Sequence, residues 1–379
     1  MATVIEASNT SDNHYESMPL NWKNSCVATE GSLHQLSPYI GKLKSSIARE
    51  LILKYSKPGD LIVDPYSGSG TIPLEAIFLN RNVFACDVNP YASILNRAKL
   101  FAPSSLEAAK HQAEELFIAL EKLSDPDLRK VPSWVRAFFH PKTLKETLKA
   151  VDICIKLKND FLLACILGIL HHQRPGFLSF PSSHLVPYLR DKKYPKDQFP
   201  QLYEYRPLRQ RLLSKIERAY KRPGLLKKEL RALYIQGKIE DTELPDRIDC
   251  VITSPPYMNA LDYNRDNRLR LWFITRSYNH NSDRQLTGSK VAFEQSITNV
   301  ARKVEKSLVM GGYCVMIIGE RLNRSSGNHP SEFVRNIILE KAPSLKLIKT
   351  MSDGIPDIRR SRRNYRGIKT EHFLIYQRC

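Results

Sequence analysis

No two of the seven cysteines, at 26, 86, 154, 165, 250, 314 and 379, form a Cys-x-x-Cys pair. That spacing argues against a thiolate zinc cluster and against a disulfide framework, and it fits a reducing compartment. A long hydrophobic run is also missing. The most apolar window, Phe161 to Leu170, is far short of the roughly 20 residues that span a bilayer, and the polar stretch Met1 to Asn21 lacks the apolar segment of a signal peptide. Acidic residues are few, with 39 Asp and Glu against 58 Lys and Arg, leaving a formal charge of +19. The sequence therefore predicts a cytoplasmic chain with no membrane and no metal, and its first implied partner is a polyanion. Internal repeats and low-complexity tracts are absent.

At 379 residues the chain can form one large α/β domain with an insertion, or two domains. Residues 1–30 offer little hydrophobic periodicity and are expected to be a flexible arm. An amphipathic helix is expected over Leu43 to Tyr55. It is followed by a strand, Leu61-Ile62-Val63, a loop, Asp64-Pro65-Tyr66-Ser67-Gly68-Ser69-Gly70-Thr71, a helix, and a second strand, Val83 to Cys86, ending at Asp87. Strand, glycine loop, helix, strand and acid in that order open a doubly wound nucleotide-binding sheet. Residues 31–105 thus read as the cofactor-binding part of a catalytic domain. Residues 106–234 read as a largely helical basic insertion, and residues 235–379 as the second part of the catalytic domain, for about seven strands in all.

Gly68 and Gly70 let backbone approach a ligand and aim helix N-terminal amides at an anion. As a dinucleotide fingerprint the loop is defective, because Pro73 stands where glycine or alanine is needed, and no Gly-Lys-Ser/Thr follows to make a P-loop. Asp87 is placed to accept hydrogen bonds from both hydroxyls of a ribose. A ribose with a carboxylate describes S-adenosylmethionine better than it describes a pyrophosphate cofactor.

The second landmark is Thr253-Ser254-Pro255-Pro256-Tyr257, just past the apolar run Ile248 to Ile252. Two prolines fix φ and cannot donate, so nearby carbonyls are rigid and free to accept. With a polar residue ahead and an aromatic behind, the stretch forms a slot for a planar group bearing an amine. Cys250 lies inside the strand and reads as core.

Together these stretches resemble the amino-methyltransferases of DNA. The loop at 64–71 is similar to their Asp-Pro-Phe-x-Gly-Ser-Gly-Thr, with Tyr66 for Phe, and Ser254 to Tyr257 matches their Ser/Asn/Asp-Pro-Pro-Tyr/Phe. The resemblance covers roughly 33–100 and 235–379 and excludes the insertion. It implies a Rossmann-like methyltransferase sheet, S-adenosylmethionine as cofactor, and catalysis by Ser254, Pro255, Pro256 and Tyr257. It further implies cofactor contacts from Pro38, Tyr39, Asp64, Pro65, Tyr66, Ser67, Gly68, Ser69, Gly70, Thr71, Asp87, Val88 and Asp241. Ser254 is similar to the cytosine-N4 members, while adenine-N6 enzymes and tRNA amine methyltransferases remain alternatives. Double-stranded DNA is the implied partner, which would associate the chain with the nucleoid. The family also implies a restriction-modification setting with a cognate restriction endonuclease.

Target recognition is assigned to about 174–231, through Arg206, Arg209 and Arg211, with Tyr188, Tyr194, Tyr203 and Tyr205 available to wedge or stack. A solvated basic face is the alternative. Arg359, Arg360, Arg362 and Arg363 form a second expected phosphate clamp. His171 and His172 read as packing or phosphate-contact residues. Tyr263 and Trp272 either line the base pocket or, for Trp272, pack on the sheet.

Overall fold

The computed structural model describes residues 16–17, 30–39, 41–171, 177–180, 187–222, 224, 229–256, 263–277, 290–321, 330–355 and 369–379. Among these, eight strands form one mixed sheet. They are β1 (Glu16–Ser17), β2 (Leu61–Asp64), β3 (Asn82–Asp87), β4 (Ala232–Gln236), β5 (Ile248–Thr253), β6 (Leu308–Arg321), β7 (Leu345–Ile355) and β8 (Lys369–Arg378), in the order β1-β7-β8-β6-β5-β2-β3-β4. Without the two-residue β1 this is the expected seven-stranded doubly wound α/β sheet. Of the described strands, only β8 runs antiparallel to its neighbours. The strands form because β-branched and aromatic residues alternate between two buried faces. Ile62, Ile252 and Val315 point to one face, and Val63, Val251 and Met316 to the other.

The chain leaves β2 for β3 on one side, while β5 pairs β2 on the other. That reversal makes a topological switch point between β2 and β5, where open α/β sheets leave a crevice at the carboxyl ends of the strands. Both sequence landmarks sit at that edge.

Among the described residues, twelve helices surround the sheet: α1 (Ser45–Tyr55), α2 (Thr71–Phe78), α3 (Pro90–Leu100), α4 (Leu106–Glu121), α5 (Ser133–Arg136), α6 (Pro141–Lys156), α7 (Asp160–Ile169), α8 (Pro187–Lys193), α9 (Leu208–Ala219), α10 (Tyr263–Thr275), α11 (Lys290–Ser307) and α12 (Pro330–Lys341). One sheet face packs on α1 and α2, the other on α11 and α12. The insertion helices α4, α6, α7 and α9 build an outer layer over α3. In α6, Leu144, Leu148, Val151 and Cys154 recur at helical spacing and are buried, with Pro141 at the first position and the His140 side chain capping Lys142 N–H.

The leucines of the insertion share one apolar cluster with Leu33, Leu36, Tyr91 and Leu95 of the cofactor part and Trp272 and Phe273 of α10. At Gly168 in α7 an added Cβ would lie 2.0 Å from the Leu36 carbonyl oxygen, so only glycine allows the two backbones to meet. Truncating a buried leucine in this cluster to alanine would cost ~2–5 kcal/mol. Within residues 1–30, expected to be a flexible arm, Glu16 and Ser17 of β1 pair with Met351 and Ser352 of β7. An edge strand exposes unpaired backbone groups, and a segment needs no apolar pattern to satisfy them. No described helix is long and apolar enough to cross a membrane.

Candidate active site

The loop after β2 is built by backbone geometry. Gly68 and Gly70 adopt positive φ, at 48° and 73°, and Gly70 N–H closes the turn on Ser67 O at 2.7 Å. Ser67 ties the loop to β3 by donating its N–H and its hydroxyl to Cys86 O, at 3.0 and 3.1 Å. A Cβ on Gly70 would meet Asn96 Oδ1 at 2.7 Å, so the position excludes a side chain on two grounds. Gly70 also caps α2 without a side-chain acceptor. The first-turn amides of α2 are therefore left to face a ligand, with the helix dipole favouring an anionic group. Pro73 is the third residue of α2, where the N–H has no intrahelical partner to lose.

Asp87, at the end of β3, accepts from Gly68 N–H at 2.8 Å and Asn89 N–H at 2.9 Å. Burial pushes its pKa up, and the amides of Asn89, Gly68 and Val88 oppose the shift. Each carboxylate oxygen keeps lone-pair capacity for a hydroxyl. Val88 beside it is 53% exposed, an apolar side chain open to a ligand. The segment 31–39 runs along α2 and brings Tyr39 against Gly68, while Tyr91 Oη donates to Pro38 O at 2.7 Å. Pro38, Tyr39, the 64–71 loop, Asp87 and Val88 thus surround one place. Asp241 is exposed in the turn after β4, which Gly237 N–H joins to Asp87 O at 3.1 Å.

The second landmark is bonded directly to the first. Thr253 Oγ1 donates to Asp64 Oδ1 at 2.7 Å, and Tyr66 N–H reaches both Thr253 Oγ1 at 3.2 Å and Asp64 Oδ1 at 3.3 Å. Asp64 is 2% exposed, and its enclosure raises its pKa from 3.8 to about 7 against those hydrogen bonds. Ser254 Oγ donates to Ile317 O of β6 at 3.3 Å, which orients its lone pairs away from that strand. Pro255 is buried and Pro256 half-buried. Tyr257, and the side chain of Tyr263, lie outside the described residues. Tyr66 is itself fixed, its hydroxyl 2.7 Å from Ser296 Oγ on α11.

Sequence reasoning missed the residues that hold these loops. From α3, Asn96 Nδ2 donates to Gly68 O at 2.9 Å, and Lys99 Nζ donates to Ser69 O. From α11, Lys303 Nζ donates to three carbonyls of the turn after β4: Ile239 at 2.7 Å, Glu240 at 3.0 Å and Thr242 at 2.6 Å. An ammonium has three N–H donors, and this turn uses all of them. For Lys99 the sequence carried no signal, since its burial and its acceptor are tertiary. For Lys303 there was none.

The residues assigned to DNA fare differently. Arg206 is 8% exposed, held by Thr143 and Phe177 O, and burial lowers its pKa. Arg209 pairs with Glu114 and lies over the Phe117 ring, and Arg211 donates to Pro207 O at 3.2 Å. Tyr203 and Tyr205 are bonded to Asp191 and Glu146. These side chains make contacts within the insertion, the Arg209–Glu114 pair lying at its surface. The Tyr188 side chain and Arg359, Arg360, Arg362 and Arg363 lie outside the described residues. His171 hydrogen-bonds Ser179 at 2.8 Å. Trp272 packs against Trp134 and Phe273, in the insertion layer rather than on the sheet. Among the described residues no group of three His, Cys, Asp or Glu is placed to hold a metal ion.

The N6/N4 methyltransferase family model, described as DNA methylase, matches residues 12–97, which include the glycine loop and Asp87 but not Ser254. The Type II methyltransferase M.MjaII of Methanocaldococcus jannaschii is 28% identical over 68 residues, 18% of this chain and 13% of that protein. Among solved structures, TrmN from Thermus thermophilus aligns at TM-score 0.35 and 11% identity, over 89% of this chain and 50% of that one. The rRNA methyltransferase aviRa from Streptomyces viridochromogenes aligns at 0.33 and 12%, over 91% of each. Residues 12–97 are thus similar in sequence to DNA methylases.

Proposed function

We propose that this protein is an S-adenosylmethionine-dependent DNA methyltransferase acting on the exocyclic amine of a base, with cytosine N4 as the target. The observation that carries the reading is the Asp64–Thr253–Tyr66 hydrogen-bond bridge, which joins a loop suited to a ribose and a carboxylate to a slot suited to an amine. The loop fits the cofactor chemically. Free α2 amides would take the carboxylate, Asp87 the ribose hydroxyls, and Val88 and the Asp241 turn the adenine face. S-adenosylmethionine supplies an electrophilic methyl carbon on a sulfonium.

The chain's residues would prepare the nucleophile. A base amine is weakly nucleophilic because its lone pair is delocalised into the ring. Ser254 Oγ and the Pro255 carbonyl accept the two amine hydrogens, drawing the nitrogen toward a tetrahedral shape, and Tyr257 stacks on the base. So held, the nitrogen lone pair would be placed to take the methyl group, the sulfonium becoming a thioether as its S–CH3 bond breaks, and the methylated amine would release its extra proton to solvent. No strong base is needed beforehand, because the amine becomes acidic only as it is methylated. The base must leave the duplex stack, at a few kcal/mol, and phosphate contacts can offset that. With Arg206, Arg209 and Arg211 engaged inside the insertion, Arg359, Arg360, Arg362 and Arg363 are the arginines assigned to those contacts. A restriction-modification setting with a cognate endonuclease belongs to the same proposal.

Nucleoside digestion of duplex DNA incubated with enzyme and cofactor tests it, and the expected product is 4-methylcytosine. Finding 6-methyladenine alone would move the target to adenine, and methylated tRNA with unmodified DNA would move it to RNA.

A further inference from the structure

Lys99 is unusual among the charged groups. It stands in the last turn of α3, is 1% exposed, and bonds through Nζ to the Ser69 carbonyl at the crest of the glycine loop. A lysine so placed loses its hydration, and an apolar residue of the same length would fill the space without that penalty. Three residues earlier on the same helix, Asn96 is fully buried and spends its amide on Gly68 O at 2.9 Å and Ala92 O at 2.9 Å. Its Oδ1 has no partner among the described residues and lies where a Gly70 side chain would be. Consecutive loop carbonyls, Gly68 and Ser69, are therefore each held by a buried donor on one helix face. A peptide plane has its N–H opposite its C=O. Drawing the Gly68 and Ser69 carbonyls down toward α3 turns the N–H groups of Ser69 and Gly70 the other way, though Gly70 N–H is also engaged by Ser67 O.

We infer that Lys99 and Asn96 are positioning residues for the cofactor. They fix the two loop peptides so that the free amides at the start of α2 and the Asp87 carboxylate keep one spacing. Neither residue touches the reacting atoms. The inference rests on the S-adenosylmethionine reading of this loop, and it assigns to α3 the rigidity that reading requires. Its particular content is that Lys99 is held at the expense of stability.

The test is Lys99→Met in the full chain, read by isothermal titration with S-adenosylmethionine and by thermal unfolding. The dissociation constant should rise about tenfold or more, because a hydrogen bond that orients the loop is lost. Tm should stay level or increase, because a desolvated amine has been replaced by a thioether of similar length. Asn96→Ala should also weaken binding, and the double variant should lose less than the product of the two factors, since both hold one loop. Binding within twofold of wild type overturns the inference, as does a weakened affinity accompanied by a fallen Tm, which marks a structural residue. Absence of binding by the wild type overturns the cofactor reading itself, and this inference with it.

Discussion

Helices α3 and α9 are both rich in polar residues, and the fold uses them oppositely. In α3, Ser93, Asn96 and Lys99 are buried, and two of them reach out of their helix to hold the glycine loop. In α9 and the segment leading into it, Arg206, Arg209 and Arg211 turn back onto the insertion that carries them. Charge density marked α9 as the functional element, yet the side chains that shape the site belong to α3. A cation declares its role by the acceptor it is given, and that is a tertiary fact.

The largest effect that would break this contrast falls on the loop itself. Gly70→Ala places a Cβ 2.7 Å from Asn96 Oδ1 at φ 73°, so the clamp and the side chain compete for one space. We expect destabilisation of about 2–3 kcal/mol and loss of S-adenosylmethionine binding, measured by denaturant unfolding and titration. Next is the second arginine cluster. Replacing Arg359, Arg360, Arg362 and Arg363 with alanine should weaken duplex DNA binding by about a hundredfold and flatten its salt dependence. Arg209→Ala, which removes a surface ion pair with Glu114, should leave the salt slope unchanged. Equal losses from both would return α9 to the DNA surface.

Two smaller effects sharpen the picture. Lys303→Met frees three carbonyls beside Asp241 and should raise the cofactor dissociation constant about tenfold, with adenosine weakened by the same factor, since only that half of the ligand meets the turn. The smallest expected effect concerns pH. Asp64 keeps its proton up to about pH 7 in the folded chain, whereas an exposed carboxyl, as in the unfolded chain, releases it near 3.8. Between those values the folded state binds more protons, so this group's contribution to stability falls as pH rises and stays low above pH 7. Asp64→Asn keeps an acceptor for Thr253 and Tyr66 and carries no charge. It should equal wild type near pH 4 and gain on it steadily up to about pH 7, the difference then levelling, as read by thermal melts across pH.

The strands and both landmarks were legible because their signals are local. Val63 and Val251 sit in short apolar runs, and the motifs follow within a few residues of each strand's end. Helix α3 was not assigned from the sequence, because it is buried between the sheet and α7 and so shows no polar outer face. Its polar residues, Asn96 and Lys99, weaken the apolar pattern because they serve the loop. The sharing of one core by Gly168 and Leu36, 132 residues apart in sequence, and the pairing of Glu16–Ser17 with β7 through backbone groups leave no periodic trace. Thr253 was read as the first residue of the proline stretch, and its bond to Asp64 made it the joint between the two halves of the site.

The central claim is that the joined loop and slot transfer a methyl group to a base amine in DNA. The most direct measurement is transfer of tritiated methyl from S-adenosylmethionine to duplex DNA and, in parallel, to tRNA, by wild type and Ser254→Ala. The account predicts label in the DNA, recovered in 4-methylcytosine and lost with Ser254→Ala while cofactor binding persists. Label confined to tRNA, or undiminished in Ser254→Ala, would contradict it.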